Sequence, residues 1–389
     1  MCTHLNKPHD FLPIHFSVFP TVQPNVVRVE TSPQSILCPE CHGPTHRHGL
    51  LPRMVRHSYS FHAGVIWLSI DVLRLRCPDC ELTFTHDFEL GLQRKSTFFF
   101  RKSIVDRCHG RPLSQGAKEY DIAYTTLERW YYLMTAEDVK ARIRSAKRIC
   151  VDEFALRKGH YYAIAALDAD TGQVLYIETG RNKETVESVL NAIGQKAQTV
   201  ITDTAAFMAK AIQTVLPEAE HVLDRFHLIQ FCTEALRRRR KYLIEAKSHF
   251  KSRFIDRCLS IPPEDLTEEE QGFVREWLEE DWHTKTLYYF LQHVRFVLKS
   301  NQFIQAKRRF DELIHRFRFH SCGAVAKIIK TYTQRYEAFL DTIISPYSNG
   351  IMEGTNNKIK LIKRRGYGYR NEQNLFHRIC LETGSHGFW

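Results

Sequence analysis

Ile149-Cys150-Val151-Asp152, Val200-Ile201-Thr202-Asp203 and Val222-Leu223-Asp224 are three short apolar runs, each closing on an aspartate. Runs of this length and composition read as buried strands. Between the first two lie strand candidates His160 to Asp168 and Gln173 to Thr179, joined by a Thr171-Gly172 turn, and then a helix candidate from Lys183 to Gln198. A second helix candidate, Ala205 to Leu216, separates Asp203 from the third run. The order strand, strand, strand, helix, strand, helix, strand predicts an α/β layer with a mixed sheet. If the first, fourth and fifth strands are parallel, their carboxyl ends share one edge, where ligands bind in open α/β sheets, and Asp152 and Asp203 are neighbours.

Two carboxylates held that close repel each other unless a cation lies between them. Hard divalent ions such as Mg²⁺ prefer oxygen ligands and keep positions open to water or phosphate. An aspartate at a strand end is also a common helix cap, so no single one of the three carries the reading. A third carboxylate comes from the stretch Ser345 to Asn371. Pro346 and Asn349-Gly350 punctuate the chain there, and Asn349 is placed to cap a helix. At about 100° per residue, Glu353, Asn357, Lys360 and Arg364 share one stripe, with Met352, Ile359 and Ile362 roughly opposite. In isolation such a helix reads as a solvated face. The acidic strand ends upstream turn the reading toward a metal–carboxylate centre. Asp224-Arg225-Phe226-His227 opens the next helix, and His227 read alone is a cap or a packing residue.

The 389 residues suffice for two or three domains, with a core in each. Lys and Arg exceed Asp and Glu by 55 to 44, a net charge of +11 that suggests a polyanionic partner. Dense basic blocks stand at Arg237 to Lys241 and Lys358 to Arg370; the first reads as a solvated helix face or a phosphate track. No signal peptide is visible, because Pro13 and His15 break the first apolar stretch, and no run approaches a membrane span. The chain reads as an intracellular, cytoplasmic soluble protein. Residues 1–30 read as an arm or an edge strand.

Four of the eleven cysteines form Cys38-Pro-Glu-Cys41 and Cys77-Pro-Asp-Cys80. The residues between them alternate as strands do, notably from Val65 to Arg76. Two such knuckles can bring four thiolates around one structural Zn²⁺ and hold a small ribbon that lacks a core of its own. His42, His46 and His48 lie beside the first knuckle and read as surface or phosphate-contacting residues. From Leu113 to Trp130 the pattern is that of a helix-turn-helix. Ala117 takes the small position, Asp121-Ile122 the turn, and Leu127 and Trp130 anchor the second helix. Tyr124, Thr125, Thr126, Glu128 and Arg129 then face outward on a recognition helix that fits a major groove. A plain helical hairpin would show the same spacing. Residues 228–344 read as almost wholly helical, with Pro262-Pro263 as the clearest break.

On these blocks, and on Val151-Asp-Glu-Phe-Ala, Val222-Leu-Asp-Arg-Phe-His227 and Asn349-Gly-Ile-Met-Glu-Gly-Thr-Asn-Asn-Lys-Ile-Lys, the chain resembles bacterial insertion-sequence transposases of the DDE type, specifically the ISL-three family. The resemblance implies a multidomain α/β protein: a ribonuclease-H-like mixed sheet with a large all-α insertion, preceded by a zinc ribbon and a helix-turn-helix domain. The corresponding divisions are an N-terminal arm (1–30), the ribbon (31–92), the helix-turn-helix (95–140), the first part of the catalytic core (147–227), the insertion (228–344) and a catalytic helix with a basic C-terminal segment (345–389). It implies Asp152, Asp203 and Glu353 as a catalytic triad holding two Mg²⁺ ions, with Mn²⁺ as the alternative, and Asp224 and His227 as auxiliary residues. Asn357, Lys358, Lys360, Lys363, Arg364, Arg365 and Arg370 would contact the DNA backbone near the cut. Tyr367 and Tyr369 would stack on an unpaired end base or pack in the core. The ribbon and helix-turn-helix would recognise terminal inverted repeats, and the need to hold two ends implies a homodimer or larger assembly on DNA. The rival readings are a DNA-binding regulator whose α/β part serves assembly, and a simple nuclease without strand joining.

Overall fold

The computed structural model describes residues 16–20, 23, 25–31, 35–86, 88–92, 95–203, 205–243, 249–345 and 350–384. The chain divides into two compact units, one made of residues 1–138 with 362–377, the other of 139–361 with 378–387. The expected cap at Asn349 lies outside the described residues.

In the first unit, β1 (Phe16–Pro20), β2 (Val26–Thr31), β3 (His46–Ser60), β4 (Gly64–Arg76) and β5 (Thr83–His86) form one sheet in the order β1-β2-β4-β3, with β5 pairing β4. The alternation read in the sequence turns Ile66, Leu68, Ile70 and Val72 of β4 inward, against Val29, Val55, Phe88 and Leu90. Helices α1 (Phe98–Arg107), α2 (Leu113–Glu119), α3 (Tyr124–Met134) and α4 (Ala136–Arg142) follow. Asp121 adopts a left-handed φ of 48° in the turn between α2 and α3, a conformation its short polar side chain tolerates. Ala117, Ile122 and Leu127 are buried as expected. The aromatic anchor differs: Trp130 is half-buried edge-on to Phe100, and the neighbouring Tyr131 fills the core.

In the second unit, β6 (Arg148–Arg157), β7 (Tyr161–Asp168), β8 (Val174–Thr179), α5 (Lys183–Ile193), β9 (Thr199–Thr202), α6 (Ala206–Val215) and β10 (Glu220–Leu223) build a sheet in the order β10-β9-β6-β7-β8. β6, β9 and β10 run parallel, and β6, β7 and β8 pair antiparallel. Ile149, Val151, Ile164, Ala166 and Val200 point to one face and pack beneath α5 and α6. Gly172 takes a φ of +68° in the β7–β8 turn, and a Cβ there would meet Ile351 at 3.2 Å.

Between β10 and the C-terminal helices stand α7 (Arg225–Leu243), α8 (His249–Ser260), α9 (Glu268–Glu280), α10 (Trp282–Leu298), α11 (Phe303–Phe317), α12 (Gly323–Thr333) and α13 (Tyr336–Ile344). Their shared core holds Phe290, Phe310, Tyr332 and Phe339, with the Phe310 and Phe339 rings stacked at 4.1 Å. Trp277 stacks on Phe273 and Trp282 on His320. The basic run of α7 is divided: Arg237, Arg238 and Lys241 lie on an exposed face, whereas Arg239 and Arg240 turn inward to carboxylates. Arg239 is bonded to Asp281 and Arg240 to Asp256 through two nitrogens each, while Arg237 and Arg238 lie 3.5 Å from Asp256 and Glu234. Asp256 and Asp281 lie on other helices, so those pairings follow from tertiary packing, while Glu234 pairs with Arg238 one turn away on α7 itself. The chain ends in α14 (Gly350–Arg365) and α15 (Glu372–Glu382). No helix of the described residues is long and apolar enough to cross a membrane.

The insertion is closed at its base. Arg225, the first residue of α7, donates from Nε to the Thr342 carbonyl at 3.0 Å and from Nη2 to the carbonyls of Ile343 and Ser345 at 3.0 and 2.7 Å. These are the orphan carbonyls that terminate α13, and a guanidinium satisfies them with charge-assisted bonds. The Leu223 amide adds a bond to Thr342 Oγ1 at 2.7 Å. Replacing Arg225 by Ala is expected to lower stability by about 3 kcal/mol, since several buried carbonyls lose a charged donor at once. Denaturant titration gives the loss, and hydrogen exchange should locate the extra opening in residues 336–345.

Candidate active site and metal centre

The parallel register decides where the acidic side chains fall. Val151 pairs with Thr202, and Thr202 with Leu223. Asp152, Asp203 and Asp224 are each the next residue, so they form a row across three adjacent strands, which neighbouring strands space at roughly 4.8 Å. Each is also tied locally. Asp152 Oδ1 accepts from the Glu153 amide at 2.8 Å, Asp203 Oδ1 from the Ala205 amide at 2.8 Å, and Asp224 Oδ1 from the Phe226 amide at 3.0 Å. Asp224 Oδ2 accepts from His227 Nδ1 at 2.7 Å, one turn into α7.

Burial pushes the Asp152 carboxyl up to about 6, and the charge of Asp203 adds to the effect, against hydrogen bonds from the Glu153 amide and Asn356 and the charge of His227. The hydrogen bond to Asp224 holds His227 above its ordinary value, and the charges of Asp203 and Asp152 reinforce it while burial opposes it. The site is thus a half-buried concentration of negative charge with one imidazole beside it.

Helix α14 reaches this row through Asn356, whose Nδ2 donates to Asp152 Oδ2 at 2.8 Å. The Asn356 Oδ1 is buried with no hydrogen-bond partner among the described residues. The sequence reading singled out Asn357 and passed over Asn356. Met352, Ile359 and Ile362 are buried as expected, but Thr355 is buried with them. That shifts the buried stripe toward Asn356 and leaves Asn357 exposed, 3.4 Å from Lys360 Nζ. The signal was available: the first of two adjacent amides, three residues after Glu353, borders an apolar stripe. Glu353 itself is exposed, about one turn before Asn356, and its carboxylate makes no hydrogen bond or ion pair among the described residues. The structure therefore brings Asp152, Asp203, Asp224 and His227 together and carries Glu353 on the docked helix without closing it onto them.

Of the other residues expected at DNA, Lys358, Lys360, Arg364 and Arg370 are exposed, and Lys363 and Arg365 are half-buried. Burial lowers the Lys363 ammonium from its ordinary value. Tyr367 is 89% exposed at a left-handed φ of 52°. Tyr369 instead folds over Gly366, where any Cβ would lie 2.3 Å from its ring. In the first unit, Tyr124, Thr125 and Arg129 are exposed along α3, and Thr126 is half-buried.

Cys38, Cys41, Cys77 and Cys80 have Sγ atoms all within 4.8 Å of one another, the group of potential metal ligands that stands out among the described residues. Three of the separations are 3.4 to 3.6 Å. A tetrahedral site with Zn–S bonds of about 2.3 Å requires roughly 3.8 Å, so the thiolates fit Zn²⁺ with little adjustment. The two knuckles fold alike: the Cys38 amide bonds the Gly43 carbonyl at 3.0 Å and the Cys77 amide the Leu82 carbonyl at 2.9 Å. A Cβ at Gly43 would sit 2.3 Å from the Asp79 carboxylate, so a larger residue there would displace that side chain. His42, His46 and His48 are exposed and outside the cluster.

A transposase family model of the ISL3 DDE type matches residues 149–379, from β6 to α15. The transposase of insertion sequence element IS1001 from Bordetella parapertussis is 29% identical over 276 residues, which cover 64% of this chain and 66% of that protein. The transposase of IS1557 from Mycobacterium tuberculosis is 26% identical over 279 residues, covering 63% of this chain and 62% of that protein. The chain thus spans slightly less than two thirds of the length of these relatives. Because the family match takes in more than half of its residues, the chain belongs to the ISL3 family of DDE transposases.

Proposed function

We propose that the protein is an insertion-sequence transposase that binds terminal inverted repeats and cleaves and rejoins DNA strands with Mg²⁺, or Mn²⁺ in its place, through Asp152, Asp203 and Glu353. The observation that carries the reading is the row of aspartates in parallel register, onto whose first member Asn356 docks the helix that bears Glu353. The strand order β10-β9-β6-β7-β8, antiparallel on one side of β6 and parallel on the other, supports a ribonuclease-H-like core.

The donor set suits hard divalent ions: acceptor-only oxygens, one of them on a carboxyl that burial and a neighbouring charge leave short of positive countercharge. Asp152 would be shared between two ions, with Asp203 and Glu353 each holding one. Bound there, the ions would activate the attacking oxygen and stabilise the leaving one. Asn356 fixes one Asp152 oxygen, so the carboxylate presents a set orientation. His227, its Nδ1 committed to Asp224, keeps Nε2 to exchange a proton with the attacking or leaving oxygen. The cations of α14 and its basic exit would neutralise the DNA backbone near the cut, and α3 and the ribbon would select the ends. Holding two ends implies a homodimer or larger assembly on DNA, and the reading places the work in the cytoplasm.

On labelled terminal-repeat DNA with Mg²⁺, Asp203→Asn should bind normally and cleave on the order of 10³-fold more slowly, equivalent to about 4 kcal/mol. Equal cleavage by both proteins removes Asp203 from the mechanism, and binding without cleavage by either favours a regulator. The pH dependence has a definite sign. Asp152 takes up a proton as pH falls through about 6, and Mg²⁺ competes only for the ionised form. Apparent Mg²⁺ affinity should therefore drop about tenfold per pH unit below 6 and be flat above 7, read from cleavage against Mg²⁺ concentration at each pH. Elemental analysis should find one zinc per chain, absent in Cys38→Ser, with repeat binding weakened at least tenfold and the helical circular dichroism largely kept.

A further inference from the structure

Strand β6 does not stop at its catalytic aspartate. Ile149 to Val151 are paired on both sides, with β9 and β7, whereas the strand beyond pairs with β7 alone as far as Arg157 opposite Tyr161. β8 leaves β7 at Ala163 opposite Thr179. Residues 155–162 are therefore a two-stranded ribbon that rises from the carboxylate edge, its tip about 20 Å beyond Asp152 at roughly 3.3 Å per residue. Gly159, at a φ of +84°, makes the turn.

The tip carries charge of one sign. Arg157, Lys158 and His160 are exposed, with Tyr161 41% exposed beside them. Arg181, just past the end of β8, lies over the Tyr162 ring at 4.7 Å and pairs with Glu153 at 2.5 Å, which neutralises the acid nearest the ribbon. Nothing in the packing of the sheet requires a basic projection: the ribbon lies past the paired strands and past the core under α5 and α6. A two-stranded β-ribbon fits a major groove about 12 Å wide, and exposed cations at such a tip meet phosphates.

We infer that the β6–β7 ribbon is a guide for duplex DNA, in which Arg157 and Lys158 hold the backbone flanking the strand presented to Asp152. The inference rests on the carboxylate edge being the cutting site. It assigns DNA contact to residues outside the recognition helix and outside α14, and it fixes the side of the edge from which the duplex extends.

The test is metal-free and independent of cleavage. Binding to a fluorescein-labelled random-sequence 40-bp duplex is followed by anisotropy from 50 to 200 mM KCl, for the wild type, for Arg157→Gln/Lys158→Gln, and for a control that removes the same charge from α12, Lys327→Gln/Lys330→Gln. The ribbon variant should bind several-fold more weakly at 100 mM KCl, with a log–log salt slope shallower by about 2, one unit of roughly 0.9 per lost phosphate contact. The α12 control should follow the wild type. An unchanged slope in the ribbon variant, or equal losses in ribbon variant and control, overturns the inference. Because this assay reads binding without metal or cleavage, a failed guide leaves the cleavage result standing, and a failed triad leaves the guide standing. A wild type that binds no duplex overturns both.

Discussion

The guanidinium of Arg225 ties the start of α7 to the end of α13. The chain reaches α14 only after α7 to α13, and Arg225 brings the far end of that excursion back to the strand that began it. Closing a flexible loop of this size, with Ser345 lying 120 residues after Arg225, costs on the order of 4 kcal/mol in chain entropy. Three carbonyl bonds from one cation, with the Leu223 amide on Thr342, offset a cost of that size. Because the segment begins and ends at one place, its length can vary without moving α14. The helices between then serve as a body with its own aromatic core, tied further by the Arg239–Asp281 and Arg240–Asp256 pairs.

The aspartate row is the complementary feature, a local conflict that the fold maintains. Burial and mutual repulsion leave Asp152 reluctant to ionise, yet the backbone amides of Glu153, Ala205 and Phe226 hold the three carboxylates where they stand. Such strain between neighbouring charges is what a bound cation relieves. Asn356 and His227 are the polar groups that temper it. Glu353, exposed on the same helix, retains the freedom to approach once positive charge arrives.

Much of this was legible because it depends on local pattern. Apolar runs closing on Asp152, Asp203 and Asp224 marked the strands, and the two CPxC knuckles marked the thiolate site. The turn at Asp121 followed from the conformations that aspartate accepts. What the sequence concealed were choices settled by packing. Whether Asn356 or Asn357 faces the sheet is a 100° question, decided by burial of Thr355 alongside Met352 and Ile359. The basic run of α7 looked open because its partners, Asp256 and Asp281, lie on other helices. The reach of β6 past Asp152 was hidden for a related reason: charged Asp152 and Glu153 interrupt its apolar run, and pairing with β7 carries the strand on through Phe154 to Arg157.

The register that aligns the aspartates also makes the unit brittle in one respect. β9 is four residues long, and its partners match it residue for residue. Dropping a single codon there would turn Val200 away from its core and pull Asp203 out of line, since alternate side chains exchange faces. The smallest in-frame lesion in this strand should therefore undo the aspartate row as thoroughly as a truncation ahead of it would.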